Sequence, residues 1–366
     1  MKKAETELFK NLCSFKSTKI NKDLLRSATP AVLGELFFNR MQGVAYGVLK
    51  NHGLSESVNR EFRNSLKGGY EQNIRKNRSF FSCVQYVENI LSNDVGRYIM
   101  LKGAYLCKSY PEGYRTSNDI DLLVRPSDVT RIGKVLNDNG FVQGNVRSGK
   151  FVKATRREII ESKMTRGETV PYIKEINIPD MKFLEVDINF SIDYKPGETD
   201  ILEEFFKQSG KKAVKNLDIH TLSEEDFILH LCCHLYKEAT TLPWIEMSRD
   251  MTLYKYCDIY MLLADKSSSE IGEIFKRAAI LKLEKILAFS VISLSELFIF
   301  DNEYAVSAAK KVLENDKEFV NTVFSPKDKK TLIYTEKDIS KRFFEYNRIR
   351  LLERSDKDEK AENASE

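Results

Sequence analysis

The chain has 366 residues, with 58 Lys and Arg against 54 Asp and Glu for a net charge of +4, 42% hydrophobic and 31% charged residues. That size predicts two or three lobes, each able to bury a core, and so mild a basic balance makes no case for nucleic-acid binding by itself. Residues 1–15 carry no continuous apolar stretch, and the longest apolar run, 286–300, is interrupted by Ser290, Ser293, Ser295 and Glu296. A secretory signal and a membrane span are therefore not expected, and six cysteines without paired spacing point to reduced thiols in a cytoplasmic protein with no disulfide framework.

Residues 1–96 read as helices in series. Thr29-Pro30 places a capping residue before a first-turn proline and opens a helix to Arg40 with Val32, Leu33, Leu36 and Phe37 on one side. His52-Gly53 ends the next helix. The Gly68-Gly69 pair is expected to break or kink a third, which continues from Tyr70 to Leu91 with Phe80, Val84, Val87 and Leu91 at helical spacing. Residues 97–101 then read as a strand running into Lys102-Gly103-Ala104, where a glycine corner beside a cation suits an anion. A polar loop carrying Arg115 follows, and Asp119-Ile120-Asp121-Leu122-Leu123-Val124 reads as a second, mostly buried strand.

Side chains at i and i+2 of a strand share a face, so Asp119 and Asp121 project together while Ile120 and Leu122 turn to a core. Two carboxylates held side by side repel unless a cation lies between them, and oxygen ligands suit Mg²⁺ or Mn²⁺. A metal site beside a phosphate site formed by Lys102, Gly103 and Arg115 is the reading of these residues. Downstream, a helix is expected over 128–139 with Gly140 as its left-handed cap, then strands at 141–142 and 150–154. Residues 158–172, polar and holding Gly167 and Pro171, read as a loop or mobile insertion near the site. The basic clusters at 153–157 and 207–215 read as solvated surface. Alternation in 182–190 sets Phe183, Glu185, Asp187 and Asn189 on one face and Leu184, Val186, Ile188 and Phe190 on the core face. From Thr221 onward, Ser223-Glu224-Glu225-Asp226 resembles a capping box. The helix it opens carries His230 and His234 at i and i+4, read as packed or hydrogen-bonded rather than zinc-binding. Helices follow over 254–264, 269–281, 285–300 and 304–315, with acceptor contacts expected from Lys237, Trp244 or Arg249. The charged tail at 355–366 is expected to be disordered.

Leu-Lys-Gly-Ala at 101–104, Tyr110-Pro111, Arg115, Asp119 through Pro126, and Asn139-Gly140-Phe141 together resemble the uncharacterised nucleotidyltransferase family. That family belongs to the polymerase-beta-like superfamily, with kanamycin nucleotidyltransferase as a distant relative. The resemblance implies an α+β fold: a small mixed sheet flanked by N-terminal and C-terminal helical regions. It divides the chain into a helical region 1–96, a catalytic domain 97–220, a helical domain 221–354 and the tail 355–366. It also implies a third carboxylate on a later strand. Asp187 takes that position, with Glu185 on the same face as the competing candidate and Asp193 the weaker one. Ala104 stands where many superfamily members have serine.

The activity so implied is metal-dependent transfer of a nucleoside monophosphate from an NTP to a hydroxyl acceptor, with a small molecule or peptide expected. Asp119, Asp121 and Asp187 would hold two Mg²⁺ ions (or Mn²⁺), and Lys102, Gly103, Ala104 and Arg115 would bind the nucleotide. NTP and an unidentified acceptor are the expected partners, with nucleic acid not favoured and no membrane. Two rival readings are a catalytically degenerate nucleotide- or partner-binding module, antitoxin-like or regulatory, and an RNA-directed nucleotidyltransferase.

Overall fold

The computed structural model describes residues 1–165, 167–192, 201–214 and 217–355. The chain packs as two units, one of Gln42–Gly47 and Arg63–Phe227, the other of Met1–Met41, Val48–Phe62 and Ile228–Glu366. The helices are α1 Lys3–Cys13, α2 Pro30–Phe38, α3 Gln42–Asn51, α4 Arg60–Ile90, α5 Gly103–Ser109, α6 Val129–Asp138, α7 Arg156–Thr165 and α8 Ile201–Gln208, then α9 Glu224–Ala239, α10 Leu242–Glu246, α11 Leu253–Leu263, α12 Ser268–Ile280, α13 Glu284–Leu297, α14 Glu303–Val312 and α15 Ile339–Phe343. The strands are β1 Tyr98–Met100, β2 Asp119–Val124, β3 Val142–Arg147, β4 Lys150–Lys153, β5 Tyr172–Ile178, β6 Met181–Asn189, β7 Gly210–Val214 and β8 Leu217–Thr221, with β9 Thr322–Ser325, β10 Lys330–Tyr334 and β11 Leu352–Arg354 near the C-terminus. The architecture is α+β.

In the first unit the alternating strands form one six-stranded mixed sheet in the order β1-β2-β6-β5-β3-β4. β2 and β6 run parallel, and the other neighbours pair antiparallel. One face carries Ile120, Leu122 and Val124 of β2 beside Leu184, Val186 and Ile188 of β6, and Phe80, Cys83, Val84 and Val87 of α4 pack onto it with Ile132 and Leu136 of α6. Each aliphatic side chain so buried contributes about 1.5–3 kcal/mol, and this layer fixes which face of β2 and β6 is left for polar residues. The β7–β8 hairpin is tied to the sheet by Thr221, whose Oγ1 donates to the Met100 carbonyl at 2.6 Å.

Two expectations are corrected in this unit. α4 runs unbroken through Gly68-Gly69. A glycine in a helix interior costs about 1 kcal/mol relative to alanine, which the buried stripe on both sides, Phe62 and Leu66 before and Phe80 to Val87 after, outweighs. The expected loop at 158–172 begins as helix α7, because Thr155 and Glu158 form a capping box: the Glu158 carboxylate accepts from the Thr155 N–H at 2.7 Å, and Thr155 Oγ1 accepts from the Glu158 N–H at 3.3 Å. Among the described residues, Gly167 to Pro171 is the irregular stretch before β5.

In the second unit Thr29 caps α2 by accepting from the Val32 N–H. The buried side of α2 is Val32, Glu35 and Leu36, whereas Phe37 is exposed. Glu35 is accommodated by Asn39 at 3.2 Å and by the Tyr346 hydroxyl. Helices α11 to α14 fall where the apolar periodicity places them. The three-stranded sheet β11-β10-β9 was not expected; it is braced nearby by a buried bidentate pair, Arg348 Nε and Nη2 to Asp250 at 2.7 and 2.6 Å. All six cysteines are buried free thiols, and among the described residues no helix is long and apolar enough to cross a membrane. Within 355–366, residues 356–366 lie outside the described residues, as does Asp193.

Candidate active site

Parallel pairing of β2 with β6 sets Asp119 opposite Glu185 and Asp121 opposite Asp187. With Ile120–Val186 and Leu122–Ile188 turned into the core, the four carboxyl side chains lie in two adjacent pairs on the other face, on strands about 4.8 Å apart. A fifth carboxylate comes from the chain entering β5. The Thr169 N–H donates to the Ile188 carbonyl at 2.9 Å and residue 168 bridges to Asn189, which brings Glu168 within electrostatic range of Asp187.

The crowding shows in the acidities. Burial, and then the charges of Asp119 and Asp121, push the Glu185 carboxyl up to about 7. Asp187 is raised well above the usual carboxylate range by burial first, then by Asp121, Asp119, Glu185 and Glu168. Both shifts come from burial first and then from neighbouring carboxylates, so the row carries crowded negative charge with one cation placed against it. That cation is Lys102, whose Nζ lies 3.2 Å from Asp121 Oδ1.

Lys102 reaches Asp121 because β1 pairs antiparallel with β2 and the pairing continues one step further, the Leu101 N–H donating to the Asp121 carbonyl at 2.9 Å. The chain must then turn sharply into α5, and it does so at Lys102 itself, with φ 33° and ψ −105°. A non-glycine residue there is strained by on the order of 1–3 kcal/mol. Gly103 also meets a steric need: a Cβ on it would lie 2.3 Å from Ser117 Oγ and 3.1 Å from the Phe80 ring. The glycine admits Ser117, which donates to Asp119 Oδ1 at 3.3 Å. The Ala104 methyl is fully buried in the core, so only its backbone is left to face a ligand.

The loop between α5 and β2 is stapled by one side of α4. Asn73 Nδ2 donates to the Gly113 carbonyl at 2.9 Å, Asn77 Nδ2 to the Arg115 carbonyl at 2.6 Å, and Lys76 Nζ to Asn118 Oδ1. Arg115 sits in this loop with Nη1 3.5 Å from the Thr116 carbonyl. Sequence reading missed Lys76, Ser117 and Glu168. Ser117 stood within the motif, two residues before Asp119, whereas Lys76 and Glu168 arrive through contacts that no local pattern announces.

As the side chains stand, no group of three His, Cys, Asp or Glu among the described residues is arranged to hold a metal ion. The donor set nonetheless fits one: oxygen ligands only, on one sheet face, with the acidities of Glu185 and Asp187 raised by burial and by the neighbouring carboxylates. His230, His234, Lys237, Trp244 and Arg249 belong to the other unit. There His230 is buried, and His234 Nε2 lies 3.4 Å from Glu238 Oε1.

No curated protein matches the chain. The family model described as an uncharacterised nucleotidyltransferase matches residues 31–298, a span that contains α4, the corner at Lys102, the Asp119–Asp121 strand and the parallel strand bearing Asp187. With most of its length matched, the chain belongs to the uncharacterised nucleotidyltransferase family.

Proposed function

We propose that this nucleotidyltransferase-family chain is an active, metal-dependent enzyme that transfers a nucleoside monophosphate from an NTP to a hydroxyl acceptor. The observation that carries the reading is the register of β2 on β6, which aligns Asp121 with Asp187 and Asp119 with Glu185 beside the Lys102 ammonium. Asp119, Asp121 and Asp187 would hold two Mg²⁺ ions, or Mn²⁺; when bound, the metal neutralises charge on the triphosphate and acidifies the acceptor hydroxyl.

The chain's own groups do the rest. Lys102 exchanges its contact with Asp121 for the triphosphate, and the backbone of Gly103 and Ala104 lines the same corner. Arg115, on the stapled loop, adds a second cation toward the nucleotide. Asp187, buried and crowded by its neighbours, takes the proton from the hydroxyl as it attacks the α-phosphorus and pyrophosphate leaves. The second reading, a nucleotide-binding module without turnover, shares the binding groups and lacks only the transfer. Incubating the protein with each [α-³²P]NTP, Mg²⁺ and a cell extract separates the two. Label on an acceptor, lost in Asp121→Asn, is expected. Mg²⁺-dependent NTP binding by calorimetry without any labelled product would favour the module.

A further inference from the structure

The sheet face that carries the carboxylates continues past them to the exposed edge. Residues paired across strands share a face, so the line from Asp119 to Glu185 runs on to Ile173 of β5 and Val142 of β3. Along β3 the same face presents Gly144 and Val146, which pair with Lys153 and Phe151 of the edge strand β4. The Phe151 ring lies over Gly144, where a Cβ would come within 2.5 Å of Cε2. Val142, Val146 and Phe151 are each more than a third exposed, as are Ile160 and Met164 of α7. From β2 to β4 the band is about 19 Å wide.

Residues 142–165 hold six Arg and Lys against Glu158 and Glu161, a surplus of four that equals the net charge of the whole chain. Lys153, on the same face as Phe151, and Arg156, Arg157 and Lys163 of α7 are exposed and have no ion-pair partner among the described residues, whereas Arg147 and Lys150, paired with each other, lie on the opposite face of the hairpin. α7 leads the chain back to the carboxylates: Ser162 Oγ donates to the Glu168 carbonyl at 3.1 Å, and Glu168 is the residue that faces Asp187. Unpaired cations beside exposed apolar surface, on the sheet face that also carries the acidic row beyond the buried Ile173, match a ligand with a charged backbone, flat apolar faces and a reactive end.

We propose that the β3–β4 hairpin and α7 seat a single-stranded nucleic acid whose terminal hydroxyl is the acceptor at the carboxylate row. The proposal rests on the nucleotidyl-transfer reading for its chemistry and on the hairpin for its binding. Phosphates lie against Lys153, Arg156 and Arg157, and a base stacks on Phe151. The terminal hydroxyl oxygen bonds to the α-phosphorus of the NTP, the α–β phosphoanhydride bond breaks, pyrophosphate leaves and the hydroxyl proton passes to a carboxylate of the row.

The test measures binding of a fluorescein-labelled 20-nucleotide RNA, and of its DNA counterpart, by anisotropy in EDTA across a salt series, then exposes unlabelled oligonucleotide to [α-³²P]NTP and Mg²⁺. Lys153→Ala with Arg157→Ala should weaken binding about tenfold and lower the log–log salt slope by about 1.4, since single-strand binding loses about 0.7 per phosphate contact. Phe151→Ala should weaken it about fivefold or more. Asp121→Asn should bind the oligonucleotide as wild type does while accepting no label onto its end. Whichever of RNA and DNA takes label names the source of the strand. Unchanged affinity and slope in the hairpin variants, with their circular dichroism intact, would overturn the proposal. So would displacement of the RNA by a poly-glutamate peptide at equal charge, which would make the face a protein-docking surface. Failure of hairpin binding with Mg²⁺-dependent NTP binding preserved would remove the nucleic-acid acceptor and leave nucleotidyl transfer standing. Loss of NTP binding would strike the catalytic reading instead.

Discussion

Lys102 holds the most consequential side chain of the corner in an unfavourable backbone conformation. Its φ of 33° places the ammonium beside Asp121 at the point where β1 must turn into α5. Lys102→Gly should therefore keep or raise stability by about 1 kcal/mol, because glycine adopts positive φ without strain. Lys102→Ala retains the strain and should be no more stable than wild type. Both should lose Mg²⁺–NTP affinity about tenfold or more, the scale of a lost charge-assisted contact, and thermal melts with calorimetry would separate the two effects. The two third-carboxylate candidates divide in the same way. Asp187 pairs with Asp121, whereas Glu185 pairs with Asp119 one step along the strand. Asp187→Asn should bind Mg²⁺–NTP nearly as wild type yet lose transfer by about 10²–10⁴-fold. Glu185→Gln should retain it, and the reverse result in a transfer assay would move the assignment to Glu185.

The helix α4 does two jobs from different sides. Phe80, Cys83, Val84 and Val87 build the core under the sheet, while Asn73, Lys76 and Asn77 clamp the loop that delivers Ser117 and Asp119. Asn77→Ala would strip the part-buried Arg115 carbonyl of its donor, costing about 1 kcal/mol, and should lower NTP affinity without touching a ligand group. Helical content by circular dichroism should stay constant; unchanged affinity in the Asn73→Ala, Asn77→Ala double variant would show that the loop needs no clamp. α7 was hidden by its polarity: it lacks an apolar stripe, and Thr155-x-x-Glu158 was its one local signal.

Stability of the whole protein should carry the mark of the acidic row. The folded-state acidities of Glu185 and Asp187 are raised, to about 7 and well beyond the carboxylate range respectively. The folded protein therefore binds more protons than the unfolded chain, and the stability contributed by those protons is full at acid pH and lost as pH rises through about 7. The groups facing them are Asp119, Asp121, Glu168 and Lys102. His220, lowered by burial and by Lys211, acts oppositely and below its unfolded value of 6.5, so above pH 6.5 it does not mask the row. In EDTA the melting temperature should fall as pH rises through about 7, and millimolar Mg²⁺ should reverse the fall. A flat profile without metal would show that the row is not under charge strain.

Local pattern was enough for the α+β class, the face on which Asp119, Asp121, Glu185 and Asp187 lie, and the caps of α2, α6 and α9, because alternation, helical periodicity and capping act over two to seven residues. It was also enough for the family. Local pattern overstated Gly68-Gly69, since a helix break depends on whether the flanking stripe is buried, and it gave the C-terminal strands β9 to β11 no distinct signal. It could not join Asp121 to Asp187, 66 residues apart, or Asp119 to Glu185, because parallel register is set by how β2 and β6 share one core face. Nor could it place Phe151 and Lys153 on the face where the carboxylates lie, which only the pairing of β3, β4 and β5 with β6 decides.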